Sequence, residues 1–451
     1  MEPRRRRHSR PRRSRCSHDS HLGQSVRPAR SSPMSSPSTA DQVRSEVSAW
    51  LAEAWDPDIG LLDWRERLVA SGWAVPSWSS EWYGRGLPAW ADTVVATELR
   101  AAGAVGPPLG SGMNLAAPTL ATHASDELKR RVLRPTLTGE LTWCQLFSEP
   151  TAGSDLAGLK ATAVLDGDEW IVNGQKVWNT SAHHADFGML VARTDWDVPK
   201  HQGISYFVLP MNQPGVEVRP IRQMNGYASF SEVFLTDAQI PASNQVGDLG
   251  EGWRIARTTL AHERSFATMR RPQFGRDGLP QGRVISEAAA EADEYFSTYV
   301  WYPQRAGRAD LAIERARTLG VADRPIVRQA IADLISFVRV NEWTAARARA
   351  ARLLGRPPGA EGSLGKLAAS EVARRAANVH TLIGGAGGMI TDAGRPHDTT
   401  IAEVLVSTVA QSIAGGTDEI QRNIIGENVL GLPREPGADR DRPFRDVVRD
   451  G

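Results

Sequence analysis

Cysteine is almost missing: Cys16 and Cys144 are the two in 451 residues, and neither has a second one nearby. That excludes a disulfide framework and any cysteine-rich zinc or iron–sulfur site, and it fits a reducing compartment. Long apolar runs are missing too. No stretch approaches the roughly 18 consecutive apolar residues of a membrane helix, and the arginines that open the chain are not followed by the apolar core of a secretory signal. The expectation is a cytoplasmic protein with no membrane partner. Lysine is scarce, with Lys129, Lys160, Lys176, Lys200 and Lys366 the five among 53 basic residues, a bias that suits a GC-rich coding sequence and carries no mechanism.

What is present is ordinary globular material, 41% hydrophobic and 23% charged, long enough for two or three packed domains. The charge is uneven. Residues 1–33 carry ten Arg against Glu2 and Asp19, a net +8, which leaves −7 for the rest of a chain whose total is +1. Such a run can bind nucleic acid or an anionic surface. The body lacks a basic patch interleaved with aromatics, so no nucleic-acid partner is expected. The plainer reading is a disordered Arg-rich tail over residues 1–40, with Met34 as an alternative start.

The apolar period then divides the chain. In residues 41–140, Val43, Val47, Trp50, Leu51 and Ala54 draw one stripe on a helix with Asp41 as its N-cap, and Ser125 to Leu133 reads as a short helix stopped by Pro135. Residues 141–245 change to period two. Runs at Lys160–Leu165, Glu169–Val172, Ile204–Leu209, Val216–Pro220 and Ser231–Leu235 are bounded by turn pairs such as Asp166-Gly167 and Asn173-Gly174, which predicts an antiparallel β barrel or sandwich. Over residues 246–433 helical spacing returns, as in Val327, Ile331, Leu334, Ile335 and Val338, and residues 434–451 read as a tail. The fold class is therefore α+β and multidomain, in the order α, β, α.

Two segments have the makings of a cofactor site. Gln145-Leu146-Phe147-Ser148-Glu149-Pro150-Thr151-Ala152-Gly153-Ser154-Asp155 enters the β zone through a flexible turn whose N–H and Ser groups suit a pyrophosphate, although Gly-Ser-Asp is also an ordinary turn. Lys176-Val177-Trp178-Asn179-Thr180-Ser181 sets a large ring beside hydroxyls at a strand end, where it can pack on a flat cofactor or simply join the core.

Taken with Lys366-Leu367, Ser370-Glu371 and Gly416-Thr417-Asp418-Glu419-Ile420-Gln421-Arg422-Asn423, these segments resemble the acyl-CoA dehydrogenase family of flavoenzymes, in the right order, from about residue 41 to residue 433. The resemblance implies an N-terminal helical domain, a middle β domain and a C-terminal four-helix bundle, with FAD between the last two. It also implies roles. Gln145, Phe147, Ser148, Gly153 and Ser154 would line the flavin ring and pyrophosphate, Trp178 and Thr180 would cover the other side of the isoalloxazine, and Thr417 and Glu419 would lie near the cofactor. Arg271 and Phe274 resemble the pair that reaches the FAD of a neighbouring subunit, with Arg324 or Arg328 as alternatives, so the chain is expected to be a homo-oligomer or to pair with a related chain. Thr381 stands where the family often has a Gln. An electron-transfer flavoprotein is the implied electron acceptor.

The family's usual catalytic Glu before Gly416-Thr417 is replaced by Ala414-Gly415. A subset of the family takes its base from the first helix of the C-terminal domain, and Thr259-Leu260-Ala261-His262-Glu263-Arg264 resembles that version, which makes Glu263 the candidate base. On a helix Glu263 shares a face with Ala256, Leu260 and Ala267, an apolar setting that raises a carboxylate pKa. Pairing with Arg264 or an Arg a turn away is the alternative. Arg264 is also the candidate contact for CoA. The backbone N–H of Gly415 would serve as the oxyanion donor for the thioester carbonyl, and the missing side chain there frees volume for a bulky acyl group. His183-His184 with Asp186 carries the residue types of a metal site, yet neighbours on a strand face opposite ways, and no metal is expected. The function implied is α,β-dehydrogenation of an acyl-CoA to a 2-enoyl-CoA. A half-site partner subunit of a heteromeric enzyme and an acyl-CoA oxidase are the other readings.

Overall fold

The computed structural model describes residues 39–265, 281–353, 359, 361–389, 397–434 and 441–449, and from Ala40 onward the chain packs as one unit. The N-terminal zone is helical, with α1 Ala40–Ala54, α2 Leu61–Ala70, α3 Trp90–Ala101, α4 Ala117–His123 and α5 Asp126–Thr138. The predicted stripe on α1 is real: Val43, Val47 and Leu51 are buried. Asp41 is not its cap but lies inside the first turn, paired with Arg44. Ser125 caps α5 by accepting from Leu128 N at 3.2 Å. Pro135 does not stop that helix; it sits inside it, and the end falls at Gly139, whose φ of 92° is the left-handed geometry that closes a helix.

The middle zone is one eight-stranded sheet of β1 Trp143–Leu146, β2 Thr162–Asp166, β3 Glu169–Thr180, β4 Phe187–Arg193, β5 Ile204–Pro210, β6 Val216–Ile221, β7 Phe230–Pro241 and β8 Gln245–Val246. The order is β6-β7-β3-β2-β4-β5-β8, with β1 beside β4. Most pairs are antiparallel, but β1 and β2 each run parallel to β4. Asn173-Gly174 is not a hairpin turn. It lies within β3, where the register against β7 slips between Val172 and Gly174, and a Cβ at Gly174 would come within 2.5 Å of the Ala161 side chain. The close approach, rather than a reversal of direction, is what needs glycine there.

The rest is helical: α6 Gly252–Ser265, α7 Arg283–Ser297, α8 Tyr302–Arg305, α9 Ala312–Thr318, α10 Pro325–Leu353, α11 Glu361–Gly384, α12 Asp398–Ser407, α13 Asp418–Asn428 and α14 Phe444–Arg449. Val327 and Leu334 of α10 are buried with Ala376, Val379 and Ile383 of α11 in one apolar cluster. The tail is docked rather than loose where it is described. Phe444 is buried, its N–H donates to Val198 O at 2.9 Å, and its ring lies under the Arg193 guanidinium at 3.7 Å.

Candidate active site

The chain leaves β1 through a loop that a buried ion pair fixes from below. Glu149 Oε1 accepts from Lys176 Nζ at 2.8 Å and Ala161 N at 2.9 Å, and Oε2 accepts from Lys160 N at 2.7 Å. Lys176 Nζ also donates to Phe147 O at 3.1 Å, and Val177 N donates to Ser148 O at 2.9 Å. Burial pushes the Lys176 pKa down and the Glu149 charge pulls it back toward its ordinary value. Glu149 and Ala152 exchange both backbone bonds at 3.1 Å, so the loop turns tightly and leaves Gly153 and Ser154 exposed at its crown. A Cβ on Gly153 would touch nothing within 4 Å. Phe147 is buried, its ring edge-on to Tyr206 with centroids 5.9 Å apart.

Next to that loop, β3 ends in a second register slip, between Lys176 and Asn179. Trp178 takes a φ of 64°, uncommon for a bulky residue, and its side chain stands 58% exposed with Phe230 edge-on at 6.0 Å. The slip turns Asn179 inward, where Nδ2 donates to Gln145 O at 2.7 Å and Oδ1 is buried without a protein partner. Thr180 is half-buried beside it. The structure thus gathers Gln145, Phe147, Ser148, Gly153, Ser154, Trp178 and Thr180 on β1, β3 and the loop after β1.

Helix α6 is tied to both neighbouring zones by hydroxyls. Thr259 Oγ1 lies 3.0 Å from Thr119 Oγ1 of α4 and 3.3 Å from the Tyr206 hydroxyl of β5, all three buried. Glu263 sits one turn further on, half-buried, with Ala256 buried and Leu260 half-buried on the same face. His262 is also half-buried, and burial holds its pKa below the ordinary histidine value. His123 reaches Thr258 Oγ1 at 2.9 Å; its own pKa is lowered by burial first and then by Arg254. The Arg264 side chain and Ala267, Arg271 and Phe274 lie outside the described residues, while Arg324 and Arg328 are exposed around the start of α10.

The Gly415–Glu419 segment forms a separate turn on the C-terminal helices. Gly415 and Gly416 have φ of 67° and 85°. Thr417 caps α13, its Oγ1 accepting from Ile420 N at 3.2 Å, and Gly415 O accepts from Gln421 Nε2 at 3.2 Å. Buried Asp418 locks the turn to α11 through Lys366 at 3.1 Å and Arg374 at 2.8 Å. Burial alone would raise its pKa, but Arg374, Ser370 and Lys366 outweigh it and hold the value at about 2. Glu419 is exposed, 3.3 Å from Arg422.

His183 and His184 occupy a turn rather than a strand, so their rings do not face opposite ways but tilt together with centroids 3.8 Å apart. Among the described residues no group of three His, Cys, Asp or Glu is placed to hold a metal. Two features went unweighed in the sequence. One is the Glu149–Lys176 pair, whose partners are 27 residues apart. The other is a cluster of Tyr295, Tyr299 and Tyr302, spaced i, i+4, i+7, which holds half of the chain's 6 tyrosines.

Models of the acyl-CoA dehydrogenase N-terminal, middle and C-terminal domains match residues 37–140, 144–238 and 304–430. The acyl-CoA dehydrogenase IpdE1 of Mycobacterium tuberculosis is 32% identical over 418 residues, covering 88% of this chain and 98% of that protein. FadE34 of the same organism is 35% identical over 396 residues; the match covers 87% of this chain, which spans about half of FadE34's length, 49%. The solved Tcur3481-Tcur3483 steroid ACAD superposes with a TM-score of 0.61 at 25% identity, covering 89% of this chain and 99% of that one. Within the described residues no helix is long and apolar enough to cross a membrane. The chain belongs to the acyl-CoA dehydrogenase family, flavin-dependent oxidoreductases that act on acyl-CoA.

Proposed function

We propose that this chain dehydrogenates an acyl-CoA thioester at its α,β-bond with FAD as cofactor, giving a 2-enoyl-CoA and passing electrons to an electron-transfer flavoprotein. The observation that carries the reading is Trp178. A large ring held at positive φ, more than half exposed and directly beside the loop that Glu149 and Lys176 pin, suits a flat partner that covers it. The orphaned Asn179 Oδ1 and the open space over Gly153 fit the same group. Gln145 and Ser148 would border the ring, and the N–H groups at Gly153 and Ser154 would receive the pyrophosphate. Trp178 and Thr180 would cover the ring, and Thr417 and Glu419 would approach it from the C-terminal helices. Bound there, the flavin supplies the hydride-accepting chemistry that oxidation of a C–C bond requires.

The chain's own part is proton removal and orientation. Glu263, on a helix fixed by Thr259 to α4 and β5, takes the α-proton, and the Gly415 N–H donates to the thioester oxygen as negative charge develops. Arg264 would meet the CoA portion. A Cβ at Gly415 would touch nothing within 4 Å, which is compatible with a bulky acyl group there, and the steroid neighbour favours one attached to a steroid skeleton.

The second reading, a half-site subunit completed by a related chain, is favoured by Ala414-Gly415 in place of a Glu. An anaerobic visible spectrum of the purified protein, before and after straight-chain, branched and steroid acyl-CoAs, separates the two. Bleaching of a bound flavin by one class supports the dehydrogenase and selects its substrate; no flavin, or flavin that none reduces, favours the half-site.

A further inference from the structure

The C-terminal family match stops at residue 430, so α14 stands outside all three matched domains. This helix docks on the loop between β4 and β5 through the backbone. Phe444 N donates to Val198 O at 2.9 Å and Arg445 N donates to Trp196 O at 3.0 Å, while the Arg445 guanidinium pairs with Asp197 at the surface. Those bonds seat the buried Phe444 ring with its centroid 3.7 Å from the Arg193 guanidinium carbon. The Trp196 ring stands beside it, 5.5 Å away between centroids.

Arg193 in turn reaches the loop that follows β1. Its Nε donates to Leu159 O at 3.1 Å and its Nη2 to Ala157 O at 2.7 Å, carbonyls in and just after the 3-10 turn Leu156–Gly158, and its Nη1 donates to Lys200 O at 3.1 Å. Lys200 Nζ reaches Asp155 Oδ2 at 2.9 Å. The exposed Gly153-Ser154 crown is thus fixed on one side by Glu149 and Lys176 and on the other by Arg193 and Lys200. Arg193 is 1% exposed, so each carbonyl it holds replaces a water it has lost, and any bond that breaks there is costly. Burial lowers its pKa to about 10, against the opposing pull of Glu149 and Asp155, and the guanidinium stays charged at neutral pH. An aromatic face over a desolvated guanidinium attracts it and shuts out water that would compete for its N–H groups.

We propose that Phe444 is a positioning residue for the cofactor loop: seated by the β4–β5 loop, its ring keeps the Arg193 guanidinium dry and locked on Ala157 and Leu159, and so holds the Gly153 and Ser154 N–H groups where a pyrophosphate is received. The proposal rests on the pyrophosphate reading of Gly153 and Ser154 above. The C-terminal helix acts on that site through Arg193, without touching the cofactor itself.

Two quantities test this on the full chain. One is the FAD dissociation constant of the apo-protein, read by flavin fluorescence. The other is amide hydrogen exchange at Gly158 and Leu159, whose N–H groups close the turn on Asp155 O at 2.9 Å and Leu156 O at 3.2 Å. Phe444→Ala should weaken FAD binding about tenfold and speed exchange at that turn, with exchange in α1 and β7 unchanged. Phe444→Tyr keeps the ring face and should restore both. Arg445→Ala removes only an exposed ion pair and should leave both at their wild-type values. Wild-type affinity and turn exchange in Phe444→Ala, faster exchange throughout the protein, or an equal effect from Arg445→Ala overturns the proposal. Should Phe444→Ala not fold, Phe444→Leu keeps apolar volume without an aromatic face: weaker FAD binding with faster exchange at the turn supports the proposal, and wild-type values overturn it. A wild-type protein that takes up no FAD defeats the pyrophosphate reading instead, and exchange at Gly158 and Leu159 still reports separately whether the ring holds the turn.

Discussion

The Lys176 ammonium lies 2.8 Å from the Glu149 carboxylate, and both side chains are shut from solvent, at 0% and 6% exposure. A buried pair of this kind adds little stability over an apolar pair, but losing one member strands the other charge at a cost of about 3–5 kcal/mol. Here the two losses are unequal. Lys176→Met leaves Glu149 with two backbone donors, whereas Glu149→Leu leaves the buried ammonium with only the Phe147 carbonyl and strands the N–H groups of Lys160 and Ala161. Denaturant unfolding should therefore rank Glu149→Leu as the more destabilised, and the reverse order would show that the carboxylate is not what holds the loop.

A different buried charge sets the acid limit of the C-terminal turn. Asp418 has a folded pKa of about 2 against an ordinary 3.8, so the folded state holds its charge more strongly than the unfolded chain does. The contribution, about 2 kcal/mol by linkage, is complete above pH 3.8 and is lost as the pH falls from there through 2. Asp418→Asn should lower stability at pH 7 and flatten the acid limb of a stability–pH curve. An unchanged limb would assign the acid sensitivity to other carboxylates.

Much of this was legible in the chain because it depends on local pattern. The α1 stripe of Val43, Val47 and Leu51, the helix beginning at Ser125 and the Asp166-Gly167 hairpin between β2 and β3 follow from spacing and turn chemistry. The misreadings came where a tertiary contact overrode a local signal. Asn173-Gly174 has turn chemistry, but Ala161 presses on Gly174 and the strand continues as a bulge. Pro135 normally ends a helix, yet α5 runs on to Thr138 with Thr136 Oγ1 donating to Val132 O at 2.6 Å and Thr138 Oγ1 donating to Arg134 O at 3.2 Å.

At Trp178 the proposed cofactor role can be tested apart from folding. Its side chain is 58% exposed, so truncation to Ala removes little buried surface, and its φ of 64° is no better for Ala than for Trp. Trp178→Ala should stay within about 1 kcal/mol of wild type in unfolding free energy while retaining FAD roughly tenfold less tightly. Apo-protein reconstitution followed by flavin absorbance measures the second quantity. Equal retention by the two proteins would remove Trp178 from the site.

The base role proposed for Glu263 needs a test that is not confused with loss of the cofactor. The residue lies on α6, one turn beyond a Thr259 that is tied by hydroxyl contacts to Thr119 and Tyr206, so the helix is anchored without the Glu263 carboxylate. Glu263→Gln preserves shape and removes the proposed base. The mutant should purify with the same flavin content, melt near the wild-type temperature and bind acyl-CoA. Anaerobic reduction of its flavin by that acyl-CoA should slow by about 10²–10⁴-fold, the usual worth of a positioned general base. Stopped-flow absorbance reads the rate directly. Reduction at the wild-type rate would show that the proton leaves to another group, and the half-site arrangement, with the base supplied by a related chain, would then be the reading to pursue.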